Sequence, residues 1–287
     1  MKIIFMGTPD FAKTSLQALI NSKHDITAVY TRTDKPRDRG KKISYSPVKE
    51  LALKHNIPVV QPTSLKTDEA MEILKSYNPD CIVVAAYGMI LPQGVLDLPK
   101  YGCINVHASL LPKYRGAAPI NRCIMDGETR SGITIMQMDA GVDTGDMLLQ
   151  GEVLIPDNMT ASELHDALAE TGGELIVKAL DNIDSITPTK QDNSLATHAE
   201  KLTKSECEID FTRSAKEIHN FIRGLADYPC AYTFVDGKRL KVYRAVLDNS
   251  DTRLTFTCGD SNKITLTEIQ PENGKRMKSE DYLRGIK

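Results

Sequence analysis

The sequence has no C-x-x-C pair to suggest zinc or a redox couple. Its six cysteines stand at 81, 103, 123, 207, 230 and 258. Without a C-x-x-C spacing they exclude a zinc ribbon or a thioredoxin-like motif, and they read as reduced core thiols of a cytoplasmic protein. Long apolar runs are absent too: nothing approaches the ~18 residues of a membrane span, so no membrane partner is expected. The opening run Met1–Gly7 is too short for a signal-peptide core. Charge excess is also missing. The 36 Lys and Arg face 38 Asp and Glu, a formal net charge of −2, so a polyanion partner must be held by local patches. The turn after the first apolar run, Gly7-Thr8-Pro9-Asp10, lacks the glycine fingerprint of a dinucleotide site, which argues against a nicotinamide cofactor and leaves Gly7 to a strand-to-helix turn. No ligand cluster has metal spacing and no EF-hand pattern occurs, so no metal is expected.

What is present alternates. "KIIFMG", "ITAVYT" and "CIVVAAY" read as strands, and Phe11–Asn21, Val48–His55 and Glu69–Ser76 as helices, because short β-branched runs separate stretches of helical period. Further strands fit "CINVH", "GITIMQM" and "MLLQGEVLI". A long helix from Ala161 to about Ile183 is announced by Thr160 with Glu163 three residues on, a capping-box spacing. This order predicts an α/β domain with a Rossmann-like, doubly wound, mostly parallel sheet over residues 1–187. Residues 188–207 are polar and lack an apolar period, as in a linker. Residues 208–287 begin with a short helix and continue in alternating segments with Asp236-Gly237 as a hairpin turn, which predicts a small OB-like β-barrel domain.

Three polar clusters stand out from this frame. "KPRDRGKK", Lys35–Lys42, carries five basic side chains around one Asp. It suits either a solvated surface loop or a nucleic-acid contact, and in the second case it should be mobile until the nucleic acid binds. In "NVHASLLPKYRG" the period of two puts Asn105 and His107 on one side of a strand, where an apolar pair would be ordinary. "MDAGVDTGDML" places three Asp and two Gly after an apolar strand. That is consistent with a plain turn, or with a carboxylate that orients the histidine. "KRLKVYR", Lys238–Arg244, alternates charge with Leu240 and Val242, as a solvated or a nucleic-acid-binding strand face would.

Together "GTPDFA", "AAYGMILP", "NVHASLLPKYRG" and "ITIMQMDAGVDTGDML" resemble the 10-formyltetrahydrofolate-dependent formyltransferase family over nearly the whole chain. The basic insertion, "ATHAEKLTK" and "IDFTRSAKEIHNFIRGLADYPCAYT" resemble the branch that acts on tRNA. Two departures touch the C-terminal side: its strands are shortened, and Cys230 stands where glycine is usual. The resemblance implies a transferase that moves the formyl group of 10-formyltetrahydrofolate to the amino group of methionine on initiator methionyl-tRNA, as a monomer. It implies Asn105, His107 and Asp143 as the catalytic trio. It assigns folate to Tyr87, Gly88, Met89, Ile90, Leu91 and Pro92, to Ser109, Leu110, Leu111 and Pro112, and to Asp139, Ala140, Gly141 and Val142. For tRNA it points to Lys35, Arg37, Arg39, Lys41 and Lys42 of the insertion, and to Lys201, Lys204, Lys238 and Lys241 further on. A folate hydrolase or an amino-sugar formyltransferase would share the trio but would not need the basic insertion. A non-catalytic RNA-binding module would not need the trio.

Overall fold

The computed structural model describes residues 1–37, 42–248 and 251–285, and the chain divides into two compact units. The first comprises Met1–Arg115, Gly132–Val153 and Asp166–Thr197; the second comprises Gly116–Ser131, Leu154–His165 and His198–Lys287. Elements follow in the order β1 (Lys2–Gly7), α1 (Asp10–Ile20), β2 (Asp25–Tyr30), β3 (Lys35–Arg37), β4 (Lys42–Ser44), α2 (Pro47–Lys54), β5 (Val59–Val60), α3 (Asp68–Ser76), β6 (Cys81–Ala85), α4 (Gln93–Leu96) and β7 (Cys103–His107). The chain continues through β8 (Arg115–Gly116), α5 (Pro119–Met125), β9 (Arg130–Gln137), β10 (Met147–Leu154), α6 (Ala161–Asp181) and β11 (His198–Ala199).

A seven-stranded sheet in the order β10-β9-β7-β6-β1-β2-β5 organises the first unit. The ladders from β5 to β7 are parallel. Strand β6 is buried at every position and β1 at every position after Lys2, which is why both read as unbroken apolar runs. Gly7 is required by close approach: a Cβ there would lie 2.6 Å from Ala12 Cβ and 2.9 Å from the Ala85 carbonyl, so a side chain would push α1 off the sheet. Strand β9 runs antiparallel to β7, pairing Ile104 with Gln137 and His107 with Thr134. The chain therefore leaves β9 beside the start of β7 and must double back to reach His107. The Gln137 N–H donating to the Asp146 carbonyl at 2.8 Å closes that excursion.

In the second unit α7 (Ala215–Gly224) is followed by β12 (Ala231–Val235), β13 (Lys238–Val246), β14 (Thr255–Thr257), β15 (Lys263–Pro271), β16 (Met277–Lys278) and α8 (Ser279–Gly285). The strands form a five-stranded antiparallel sheet of OB-like kind, in the order β12-β13-β15-β14 with β16 also on β15. Asp236 and Gly237 both have positive φ, 50° and 73°, as a two-residue hairpin turn demands. Ser214 and Glu217 form a capping box at the start of α7. From Ile218 onward α7 is buried at every residue, with α5 and β13 packed against it. Asn121 Nδ2 donates to the Gly224 carbonyl at 2.8 Å, and Arg223 Nη1 to the Met159 carbonyl at 3.1 Å. Register shifts between Val242 and Ala245 break the pleat of β13, so Tyr243 is buried beside Val242 and the alternation expected through Arg244 stops there. Among the described residues no helix is long and apolar enough to cross a membrane. All six cysteines are free and buried.

Candidate active site

Asn105 and His107 share one side of β7, and the returning loop brings Asp143 to both. The two nitrogens of the buried His107 ring face different groups. Nε2 lies 3.0 Å from the Tyr114 carbonyl. A carbonyl only accepts, so Nε2 is the donor in this contact and Nδ1 is left to face the loop. Nδ1 faces Asp143 Oδ2 at 3.6 Å. Asn105 Nδ2 donates to Asp143 Oδ1 at 3.5 Å, and an amide has a second N–H to offer elsewhere. Asp143 has φ 54°, a left-handed conformation that Asp and Asn tolerate better than other non-glycine residues.

The backbone around this trio is held by side chains outside the trio. Gln191 Nε2 donates to the carbonyls of Asp143 at 2.9 Å and Gly145 at 2.7 Å. Its Oε1 accepts from Arg115 Nε at 2.9 Å and Nη2 at 2.7 Å, and Arg115 Nη2 also donates to Asn193 Oδ1 at 2.8 Å. Arg115 is the neighbour of Tyr114, whose carbonyl fixes the histidine, so one chain of bonds joins both sides of the His107 ring. Gln191 and Asn193 lie in the polar stretch that reads as a linker, and its polarity serves these bonds. Thr134 donates to the Ser109 carbonyl at 2.7 Å and accepts from the Leu111 N–H at 3.0 Å. Gln150 donates to the Leu111 carbonyl and to Thr134 Oγ1, both at 2.9 Å. Gly132 leaves room for this segment, since a Cβ there would lie 2.5 Å from Leu110 Cδ2. The sequence reading missed Gln191 and Gln150, and passed over Arg115 and Thr134 inside their motifs.

The segments assigned to folate separate by exposure. Tyr87 and Leu91 are in the core, with Met89 packed on it, and they offer main chain to the loop. Gly88 is exposed with φ 76° and Pro92 precedes α4. Ile90 and Val142 stand open, 84% and 68% exposed, so two apolar side chains from the flanking loops are free to cover a flat ring. Asp139 builds the second loop, accepting from the Gly141 N–H at 3.0 Å and from Thr144 Oγ1 at 2.7 Å; Ala140 beside it is exposed. Ser109 and Leu111 are buried, while Leu110 and Pro112 are partly so.

The basic insertion differs from the plain loop its composition suggests. Strands β3 and β4 pair antiparallel, Lys35 with Ser44 and Arg37 with Lys42, which makes its flanks a hairpin arm. Side-chain bonds anchor the feet of the arm. Lys49 on α2 bonds both Asp34 and Gln61. Gln61 donates to the Arg32 carbonyl at 2.7 Å and to Asp34 Oδ1 at 3.0 Å. Thr31 and Ser46 share a hydrogen bond of 2.8 Å. The hydrogen bond from Lys49 holds the Asp34 carboxyl below the usual carboxylate range. Arg39 and Lys41, and the expected mobility of the tip, lie outside the described residues. In the second unit Lys201, Lys204, Lys238 and Lys241 are exposed, whereas Arg244 is paired with Glu163 at 2.7 Å and Glu268 at 3.6 Å.

Residues 1–180 match the family model described as formyl transferase, and residues 201–287 match that of its C-terminal domain. The chain belongs to the formyl transferase family. The whole trio falls inside the N-terminal match. The methionyl-tRNA formyltransferase of Clostridium novyi (strain NT) is 49% identical, with 99% of this chain and 97% of that one aligned. In fold, WlaRD, a sugar 3N-formyl transferase, superposes with a TM-score of 0.69 at 23% identity, covering 96% of this chain and 99% of that one. The methionyl-tRNA formyltransferase from Clostridium thermocellum gives 0.60 at 18% identity, covering 97% and 100%.

Proposed function

We infer that the chain formylates initiator methionyl-tRNA, taking the formyl group from 10-formyltetrahydrofolate. The observation that carries this reading is the Asp143 carboxylate facing both the Asn105 amide and His107 Nδ1, in a chain nearly half identical to methionyl-tRNA formyltransferases along its length. The methionine amine attacks the formyl carbon, and the carbonyl oxygen becomes an oxyanion. The N–C bond forms, the bond to N10 of the folate breaks, and one amine proton ends on N10. Asn105 donates to the oxyanion. With Nε2 committed to Tyr114, the His107 hydrogen that reaches the reacting centre is the one on Nδ1. Loss of one such donor costs roughly 10²- to 10³-fold in turnover. Asp143 orients both donors and, through a water, relays the proton from amine to N10. The open side chains of Ile90 and Val142 support the assignment of the flanking loops to the pterin.

In this reading residues 1–187 carry the chemistry, residues 208–287 bind RNA, and 188–207 connect them. A cytoplasmic monomer suits the reading, since one chain supplies the trio; gel filtration checks the second part. The deciding experiment incubates the protein with 10-formyltetrahydrofolate and with initiator or elongator methionyl-tRNA. Formyl-methionine is expected on the initiator, and its absence would overturn the reading. Asp143→Asn tolerates the left-handed backbone and removes the charge. With it, and with His107→Ala, most turnover should vanish while tRNA binding stays nearly intact. Equal losses of affinity and rate would make these residues structural.

A further inference from the structure

The outer face of the β12–β13 hairpin gathers aromatic and basic side chains that the trio does not use. Its pleat sends Ala231, Thr233, Leu240 and Val242 inward and leaves Tyr232, Phe234, Arg239 and Lys241 on the other side, paired Tyr232 with Lys241 and Phe234 with Arg239. The Arg239 guanidinium covers the Tyr232 ring at 3.8 Å from its centroid, and the Tyr232 hydroxyl donates to Glu208 at 3.3 Å. Phe234 meets Tyr232 edge-on, with centroids 5.9 Å apart. Tyr232 is thus held by its face, its edge and its tip, while Phe234 is 51% exposed. The turn carboxylate Asp236 is ion-paired with Arg253, so it does not offset the charges of Lys238, Arg239 and Lys241. An apolar protein patch that covered Phe234 would have to desolvate these cations. A strand of unpaired nucleotides meets both demands, because each base has an apolar face and each phosphate a negative charge. A double helix hides its base faces and meets only the second.

We propose that this face stacks an unpaired nucleotide of the tRNA substrate on Phe234, with the adjoining phosphates held by Arg239 and Lys241. The proposal rests on the formylation reading above and adds the residue that grips RNA without charge. Its signature lies in salt dependence. Labelled initiator tRNA is titrated with the full chain at low and moderate salt, and formylation kinetics are measured alongside. Phe234→Ala should weaken binding by roughly 5- to 100-fold, as loss of one stacked base does, by the same factor at both salt concentrations. Lys241→Ala should weaken it and reduce the slope of log affinity against log salt by about one unit. Phe234→Tyr, which keeps a ring, should bind like the wild type. Phe234→Leu keeps apolar bulk without a π face and should bind like Phe234→Ala, even if the alanine variant folds poorly. In each Phe234 variant that weakens binding, KM for tRNA should rise while kcat and KM for the folate hold. Wild-type affinity in Phe234→Leu would overturn the proposal, as would a concentration-dependent dimer that Phe234→Ala abolishes. Wild-type formylation of methionyl-tRNA keeps either failure separate from a failure of the functional reading.

Discussion

At the scale of single residues, Gln191 joins the two backbones that frame His107. Gln191→Leu leaves the carbonyls of Asp143 and Gly145 and the Arg115 guanidinium without this amide. A loop shift of about 1 Å at a reacting centre costs on the order of 10²-fold. We expect that loss in the single-turnover rate of formyl transfer, with KM for both substrates nearly unchanged. Gln191→Glu keeps an acceptor for Arg115 but has no donor for the loop, and should lose rate as well. Recovery in the glutamate variant would show that holding Arg115 is the part that matters. Asn105 and His107 drew notice in the sequence because polar types are out of place in an apolar strand, whereas Asp143, in a turn rich in Asp and Gly, was picked out only by the family resemblance. Gln191 was not: it stands 48 residues from Asp143 amid other polar residues, and nothing local marks a side chain whose partners are backbone atoms.

Elements were legible where a cap or a period announced them. The box Thr160–Glu163 formed as its spacing predicts, and so did the Asp236-Gly237 turn; the box Ser214–Glu217 at the start of α7 adds a second of the same kind. Helix α5 escaped because it has seven residues, Pro119 at its first turn and no capping side chain at Ala118, so neither signal exists. The arm of β3 and β4 escaped because the bonds at its feet join positions up to 29 residues apart, which no local pattern announces. Ser46 is one such foot. It accepts from the Lys49 N–H at 3.1 Å as the cap of α2 and also meets Thr31. Ser46→Ala should cost about 1 kcal/mol of stability, as loss of an N-cap does, read from urea unfolding. On α7, burial, with Arg223 and Lys216 nearby, lowers the His219 imidazole from 6.5 to about 4. Between these values the unfolded chain binds a proton that the folded one does not. The contribution of His219 to stability is therefore complete above pH 6.5 and declines as pH falls towards 4. His219→Gln should remove this part of the acid sensitivity, on the order of 2 kcal/mol near pH 5, measured as the difference in urea midpoints between about pH 7 and pH 5.

For the whole molecule, the cysteines give a direct readout of folding. All six are buried, and burial pushes the Cys103 and Cys123 thiols up to about 12 and about 11, so the reactive thiolate is scarce as well as shielded. An aromatic disulfide reagent should titrate almost no thiol in the native protein and all six in denaturant, with native reaction following the unfolding rate. Prompt reaction of several thiols would contradict the packing described above. The chain order of the two units also reaches into synthesis on the ribosome. The second unit needs Gly116–Ser131 and Leu154–His165 as well as the C-terminal segment, and the packing partner of α5 is α7, which begins 90 residues after Met125. At ~5–20 residues per second, α5 emerges roughly 5 to 20 s before the helix that covers it. Cys123 and Ile124, buried in the finished protein, spend that interval without their final cover. A message cut short before the codons of α7 therefore releases a chain whose α5 lacks its packing partner and leaves an apolar seam unclosed.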